Sequence, residues 1–323
     1  MDVDRNPKKA FFTYREALKP TIVSLRSDRR HFYAGEKMDV EAWICHDPNT
    51  TPEGYSLRYQ LEYKGRIIRS GRSEAGVPAN SSQFQGYINA IAPKVSKRTS
   101  YQLRAALFNA QGQSIDQTVF EIDVFPHNNQ QSQSTLAFLN SDKSSVSTYL
   151  AKNMKMEVVD DWKQADVVWI SDFQLYQQHQ EELEELAKSG KRIVLYHVPV
   201  GDHQVGGTQI KVQNTSMGSY YFASPQTGHR FTSALKAFDF KMWYDEKAGY
   251  IKPFLDKIVL GDEWQPILST GNTNWVEDHG KAAAIAELKL GLGNIIICEL
   301  DLEHKILANP SAQLLINSIL LQE

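Results

Sequence analysis

Met1-Asp-Val-Asp-Arg-Asn-Pro-Lys-Lys-Ala-Phe-Phe-Thr-Tyr-Arg-Glu-Ala-Leu-Lys-Pro20 opens the chain and decides how the rest of it is interpreted. Asn6 is a favoured helix N-cap, and Pro7 suits the first helical position because its missing N–H would have no partner there. Apolar residues then recur at helical spacing, namely Ala10, Phe11, Tyr14, Ala17 and Leu18. Pro20 cannot continue a helix. The pattern predicts one helix with an aromatic face that needs a partner.

Length and composition indicate two domains of ordinary size. The 323 residues, 41% of them hydrophobic, can bury two cores, since single domains mostly contain about 100 to 200 residues. The formal net charge of −3 argues against nucleic acid as a partner. No apolar run approaches the roughly 18 residues of a membrane span, and charges stand where a signal peptide would be apolar. We expect a soluble chain with no membrane partner. If it is part of a longer protein, that protein could be cytoplasmic, periplasmic or secreted.

The two cysteines give no sign of a disulfide scaffold or a metal site. Cys45 and Cys298 are too few for either, and they fall in different predicted domains. Both are expected to be buried apolar fillers. Asp142 with Asp160 and Asp161 offers no plausible metal cage. The sequence predicts no metal and no cofactor.

The opening stretch resembles a known family. Its Asp4-Arg-Asn-Pro-Lys-Lys-Ala10 run, its aromatic residues Phe12 and Tyr14, and its Ala17-Leu-Lys-Pro20 end are similar to the close of the catalytic (β/α)8 barrel in glycoside hydrolase family 2. That family includes β-galactosidases, β-mannosidases and β-glucuronidases. In those enzymes such a stretch forms the last barrel helix and leads into an immunoglobulin-like β-sandwich. The resemblance implies that residues 1–20 are the end of a barrel that is not in this chain.

The resemblance extends less specifically over the remaining chain. Residues 21–126 look like the immunoglobulin-like antiparallel β-sandwich, and residues 127–133 like a linker. Residues 134–323 look like the α/β domain of some bacterial members, a flavodoxin-like parallel sheet of the class I glutamine-amidotransferase kind. The implied fold class is therefore multidomain, a β-sandwich followed by an α/β domain.

The residue patterns in the first predicted domain favour a sandwich independently of the resemblance. Met38, Val40, Ala42 and Ile44 alternate with polar or half-polar neighbours, which is typical of a strand with one buried face. About seven such strands, with turn signals every 8 to 12 residues, are predicted before Pro126. Aromatic residues on these strands could stack against a sugar or could form core and cross-strand pairs; they are Trp43, Tyr55, Tyr59, Tyr63 and Tyr87.

The second predicted domain follows a stretch without apolar residues, His127–Ser134, which has nothing to bury and is expected to be a solvated connector. Short apolar runs then alternate with helical patterns, including one long helix over Phe173–Lys188. This alternation predicts a parallel sheet with helices on both faces. The segment Gly201–Pro253 lacks this alternation of strands and helices and is expected to be an insertion with extra β-hairpins. A final helix is predicted after Asn309.

The chain lacks the residues that catalysis by amidotransferases or by family 2 glycosidases would require. The segment Val194–Gln204, where an amidotransferase nucleophile is expected, contains no cysteine, and Cys298 lies among isoleucines, where burial raises a thiol's pKa. Family 2 enzymes carry the acid/base in an Asn-Glu dipeptide, which is absent here, and there is no eightfold repeat. The acidic run with Glu181, Glu182, Glu184 and Glu185 is interpreted as a solvated helix face. No catalytic residue is predicted.

One ligand site is predicted from topology. In open α/β sheets, ligands bind outside the carboxyl ends of the strands, where the strand order reverses. The polar residues that directly follow predicted strands are Asn140, Ser141, Ser171, Asp172 and His197. The alternative is that they are only capping and turn residues.

Two hypotheses remain. In the first, the chain is a non-catalytic C-terminal accessory region of a β-galactosidase-like hydrolase, with the barrel as its partner and with carbohydrate contact and homo-oligomerisation left open. In the second, it is a freestanding binding protein whose α/β domain recognises a small polar ligand.

Overall fold

The structure is a computed structural model that describes residues 7, 9–127, 134–139, 145–153, 156–215, 221–271 and 282–321, with Lys9, Ser145 and Asn153 described by backbone only. The chain divides into two compact units, Met1–His127 and Asn128–Glu323. The predicted linker residues 128–133 lie outside the described residues. Across the described ranges, no helix is both long and apolar enough to cross a bilayer.

Unit 1 begins with one helix, α1 (Lys9–Ala17), and continues with strands only. Pro20 ends the helix, as the sequence predicts, while the predicted cap Asn6 lies outside the described residues. The strands are β1 (Thr21–Arg26), β2 (His31–Tyr33), β3 (Lys37–His46), β4 (Ser56–Tyr63), β5 (Arg66–Glu74), β6 (Ser81–Ile91), β7 (Thr99–Phe108) and β8 (Ser114–Phe125). Unit 1 is therefore almost entirely β structure.

These strands form two sheets around one core, which makes unit 1 a β-sandwich. One sheet has the order β1-β3-β6 and the other the order β2-β8-β7-β4-β5. The alternation in β3 buries Met38, Val40, Ala42 and Ile44, as predicted. The sandwich is not wholly antiparallel, because the short β2 pairs in parallel with β8.

Cys45 is only half-buried, so the prediction that it is a buried apolar filler is wrong. On β3 it alternates with the core residues and therefore lies on the opposite side of the strand.

Unit 2 is built on a ten-stranded sheet. Its strands are β9 (Thr135–Leu139), β10 (Glu157–Val158), β11 (Val167–Ile170), β12 (Arg192–Tyr196), β13 (Gly201–Val205), β14 (Thr208–Asn214), β17 (Lys257–Leu260), β18 (Gln265–Ser269), β19 (Ala283–Leu290) and β20 (Gly293–Cys298). A separate two-stranded sheet contains β15 (Trp243–Asp245) and β16 (Tyr250–Lys252). The insertion predicted around residues 201–253 thus contains two hairpins.

The ten-stranded sheet is mixed, so the prediction of a parallel sheet holds for only half of it. The order β10-β9-β11-β12-β20 is joined by parallel pairing, whereas β19, β17, β14, β13 and β18 pair antiparallel. The reason is local. Tight turns such as Gly206-Gly207 and Gly291-Leu292 join neighbouring strands without the long crossover that parallel pairing requires.

Helices cover both faces of this sheet. α2 (Ser145–Asn153) and α5 (Pro310–Leu320) bury apolar side chains in the core on one face. α3 (Phe173–Gln178) and α4 (Gln180–Lys188) do so in the core on the other. The single long helix predicted over 173–188 is therefore wrong. His179 has φ −115° and ψ 20°, a non-helical conformation that interrupts the helix between Gln178 and Gln180.

Candidate functional site

The structure places three of the five predicted ligand residues at the carboxyl edge of the parallel strands. Ser171 is exposed and directly follows β11, Asp172 follows it, and His197 directly follows β12. β11 and β12 are hydrogen-bonded neighbours, with Ile170 paired to Leu195. Asn140 and Ser141 lie outside the described residues. Asp172 has a local task, since its Oδ1 accepts a hydrogen bond from the Gln174 N–H (3.0 Å) and caps α3.

His197 has an unusual backbone. Its φ is +60°, the left-handed region that few residues other than glycine adopt. Its N–H donates to the carbonyl of Cys298 (3.1 Å), so it is fixed to the end of β20. The next residue, Val198, donates its N–H to the Glu299 carboxylate (2.8 Å). Non-glycine residues held in this conformation cost about 1 to 3 kcal/mol and occur often at functional sites.

Glu299 is the centre of a small charged cluster at this edge. Its side chain is fully buried, and Oε1 accepts the hydrogen bond from Val198. Lys257 Nζ lies 2.9 Å from Oε2, an ion pair at hydrogen-bond distance whose angle falls outside ideal hydrogen-bond geometry, and it donates a hydrogen bond to the Val198 carbonyl (2.8 Å). His197 Nδ1 lies 3.7 Å from the same oxygen, beyond hydrogen-bond distance. Glu299 Oε2 is therefore a buried acceptor that is charge-paired with Lys257 and can accept a further, better-aligned hydrogen bond.

The loop after β20 is held against this edge by further buried polar contacts. The Tyr196 hydroxyl accepts the Leu302 N–H (3.1 Å), and burial raises the pKa of Tyr196 well above its usual value. Lys305 is buried between Asp301 (2.6 Å to Oδ2) and Asp245 (3.3 Å to Oδ2). The cluster at Glu299 is thus supported by a fixed loop, which a ligand site requires of its surroundings.

This arrangement suits binding better than covalent catalysis. Burial raises the pKa of the Cys298 thiol to about 12, so it stays protonated near neutral pH and is no nucleophile. A buried carboxylate oxygen, an ammonium and an imidazole can instead orient a small polar molecule that carries donors and acceptors. Lys257 and Glu299 were missed in the sequence because both lie at the ends of apolar strand runs. A lone acid closing the Ile295–Cys298 run was the available signal.

A second buried ionic network lies near the amino end of β12 and β20. Glu287 is buried on β19 and contacts His229 (2.8 Å to Nε2), Arg230 (2.5 Å to a terminal guanidinium nitrogen) and the Asn294 amide (2.5 Å). Burial alone would raise its pKa, but the hydrogen bonds from His229 and Asn294 and the charge of Arg230 outweigh that effect. The pKa of Glu287 falls to about 2. The network ties the segment around His229 to the sheet, so its task is structural.

The remaining candidates from the sequence divide into core and surface. Tyr63 pairs with Tyr101 (5.4 Å between centroids). In the acidic run of α4, Glu184 is not solvated as predicted. It accepts hydrogen bonds from the Tyr176 hydroxyl and the Gly206 N–H, both at 2.9 Å.

Sequence comparisons find no relative for this chain: no family model matches it, and no curated protein matches it. Solved structures give remote similarities. One is the CARDB domain of a Pyrococcus furiosus protein, described as in complex with di-metal ions. It is 10% identical, with a TM-score of 0.24, over 32% of this chain and 89% of that one.

Another similar structure is Spo0M, a sporulation control protein from Bacillus subtilis. It is 12% identical, with a TM-score of 0.28, over 34% of this chain and 51% of that one. The match thus spans about half the length of Spo0M.

Proposed function

We propose that the chain is a non-catalytic C-terminal accessory region of a family 2 glycoside hydrolase whose parent cleaves β-glycosidic bonds as β-galactosidases do. Its role is to support the catalytic (β/α)8 barrel by packing, assembly or substrate approach. The proposal draws on the resemblance of the opening stretch and on one structural observation, the uncovered face of α1.

The face of α1 supports this proposal because it is apolar and exposed. Phe11 is 45% exposed, Tyr14 68% and Leu18 77%. Fully burying a side chain of this size stabilises by about 1.5 to 3 kcal/mol, so leaving three of them in water is unfavourable. Isolated exposed apolar residues are common, but Phe11 and Tyr14 on one short helix, with Leu18 directly after its end, indicate a contact surface. A barrel is the occupant that the resemblance implies.

The chemistry of the chain is compatible with a supporting role. A retaining glycosidase needs two carboxyl groups about 5 to 5.5 Å apart, and the family's Asn-Glu dipeptide does not occur in the sequence. We further infer that unit 2 is the amidotransferase-like domain of such enzymes. In chain order, its five parallel strands are arranged second, first, third, fourth and last, which is the order of flavodoxin-like sheets. Without a reactive thiol, that domain would have no amidotransferase activity.

The test is the coding sequence upstream of the codon for Met1. The proposal expects an open frame that encodes a (β/α)8 barrel with an Asn-Glu motif on one of its strands. An in-frame stop codon followed by a ribosome-binding site would contradict it. That result would favour a freestanding protein.

A second candidate function is recognition of a small polar ligand by unit 2, favoured by the buried Glu299 Oε2, which is charge-paired with Lys257 but makes no well-aligned hydrogen bond among the described residues. A ligand hydroxyl or amide N–H near His197 would supply the missing donor, since buried polar groups are nearly always hydrogen-bonded.

Amide NMR spectra of the chain, titrated with D-galactose and with L-glutamine, test this second function. One probe should shift signals from residues beside His197 and Glu299, and the variant His197→Asn should abolish the shift. Asn tolerates the left-handed backbone, so the variant keeps the fold. Unchanged spectra with both probes, or equal shifts in the variant, would contradict the function.

A further inference from the structure

The edge strand β5 is an unusual surface of unit 1. It ends the five-stranded sheet, and across the described residues no strand pairs with its outer edge. All nine residues of β5 except Gly71 are exposed, including Ile67 at 56% and Ile68 at 50%. The facing sheet has only three strands, so the end of the longer sheet receives little cover. A long exposed edge presents backbone N–H and C=O groups that can pair with another strand.

The part of β5 from Arg69 to Glu74 is regular enough to accept such a strand. A bulge interrupts the pairing with β4 near the hairpin, between Leu61 and Glu62, but the register from Arg69 onward is unbroken. Three of the six residues in this part have small side chains or none, namely Ser70, Gly71 and Ser73. The Tyr59 ring lies so close to Gly71 that a Cβ there would be 2.3 Å from its Cε1. At the outer edge, Ser70, Gly71 and Ser73 leave room for a partner backbone.

Positive charge is concentrated beside the same edge. Arg58 on β4 and Arg72 on β5 are direct cross-strand partners, an arrangement of like charges that destabilises a sheet. The Arg58 Nε is buried without a hydrogen-bond partner in the described structure, and its guanidinium lies 4.1 Å from the centre of the Phe108 ring. On the same strand, the Glu62 carboxylate pairs with Arg104 (3.1 Å). Within the described part of the chain, neither Arg58 nor Arg72 forms an ion pair with a carboxylate.

Protection of the edge does not account for these features. Charged residues on an edge strand commonly prevent unwanted pairing, which would explain Arg66, Arg69 and Arg72. It does not explain Arg58, which lies one strand inward with an unsatisfied nitrogen, or the adjacent exposed isoleucines. Pairing with a second copy of β5 is disfavoured, because each copy carries three arginines against one acid, Glu74.

We propose that β5 is a docking edge for an extended acidic segment of a partner protein. The segment adds to the sheet as a further strand, its backbone pairs with Arg69–Glu74, and its carboxylates neutralise Arg72 and Arg58. Strand addition of this kind takes its affinity from main-chain hydrogen bonds and its specificity from side chains.

The experiment measures binding of a labelled ten-residue peptide of alternating Thr and Glu to the full chain by fluorescence anisotropy at low salt. We expect saturable binding, with amide hydrogen exchange slowed in β5. The variant Arg58→Gln/Arg72→Gln should bind at least about tenfold more weakly, because it removes the charge pairing. The matched control Arg26→Gln/Lys37→Gln removes two exposed positive charges from the other sheet and should bind like the wild type. Thermal melting checks that all variants are folded.

Three outcomes would overturn the proposal. One is equal loss of affinity in the control and the double variant, which would show general charge attraction. Another is binding that leaves the exchange of β5 amides unchanged. The third is concentration-dependent self-association that the double variant abolishes, which would make a second copy the occupant.

Discussion

At the scale of single residues, the sequence does not reveal the backbone conformation of His197 or the position of Glu299 beside it. Sequence reasoning found His197 because it directly follows an apolar run, but it could not foresee the φ of +60°. Glu299 was hidden at the end of a predicted strand, and only the pairing of Tyr196 with Cys298 brings it beside His197. Such contacts between residues about 100 positions apart depend on strand order, which local periodicity does not encode.

Glu287 gives a prediction about pH. Its pKa is lowered to about 2 in the folded chain, against about 4.3 in an unfolded one. Its ionised form therefore stabilises the fold above about pH 4.5, and this contribution, about 3 kcal/mol, is lost as the pH falls toward 2. We expect Glu287→Gln to destabilise unit 2 at pH 7 and to flatten the acid limb of its stability curve.

Urea unfolding at a series of pH values checks this expectation. Glu263→Gln, at an exposed glutamate, is the matched control and should leave the curve unchanged. An acid limb that is equally steep in Glu287→Gln and wild type would show that other carboxylates cause it.

Among the described elements, α1 is exposed along the whole of residues 10–17. Deletion of residues 1–18 should leave unit 1 folded, with a melting temperature close to that of the full chain, because the helix buries little. Lys19 is kept because its Nζ lies 3.0 Å from the buried Asp116, which also accepts the Val23 N–H. Self-association, if present in the full chain, should decrease.

Light scattering and thermal melting measure both effects. Leu292→Ser, which removes an isolated exposed leucine of unit 2, is the control and should not change self-association. A cooperative loss of the sandwich upon deletion would mean that α1 belongs to that core. Its interpretation as a barrel-facing helix would then fail.

The turn between β19 and β20 gives a prediction about backbone packing. A Cβ on Gly293 would lie 2.1 Å from the Lys191 carbonyl oxygen and 2.4 Å from that of Ala187. Gly293→Ala must therefore move the end of α4 away from the sheet, and we expect a loss of roughly 3 kcal/mol. Gly207→Ala, at φ +76° with open space around it, should cost only about 1 to 2 kcal/mol. Chemical denaturation measures both, and equal losses would show that the close approach is not rigid.

At the same scale, the sequence predicted element types better than their junctions. The period-2 pattern of β3 was sufficient because its buried face is strictly alternating. The break between α3 and α4 was not predicted, because His179 is neither proline nor glycine and interrupts the helix through its conformation alone. The antiparallel half of the sheet was not predicted, because apolar runs locate strands but do not show whether a tight turn or a long crossover joins them.

For the whole molecule, the two-unit division is a prediction that proteolysis can test. The chain separates at Met1–His127 and Asn128–Glu323, next to a stretch whose composition offers nothing to bury. Brief digestion with proteinase K should cut first within residues 127–134 and release two folded fragments, because exposed polar segments are cleaved preferentially. Mass spectrometry locates the cut, and first cleavage elsewhere would show that this stretch is protected.

We propose that this chain supports a glycosidase and does not hydrolyse glycosides by itself. Chromogenic β-galactoside, β-mannoside and β-glucuronide are the substrates, and their hydrolysis is measured for the purified chain and for the polypeptide expressed from the reading frame extended upstream of Met1. We expect no turnover by the chain alone and hydrolysis of at least one substrate by the extended polypeptide. Turnover by the chain alone that survives re-purification, or an extended polypeptide inactive on all three, would contradict it.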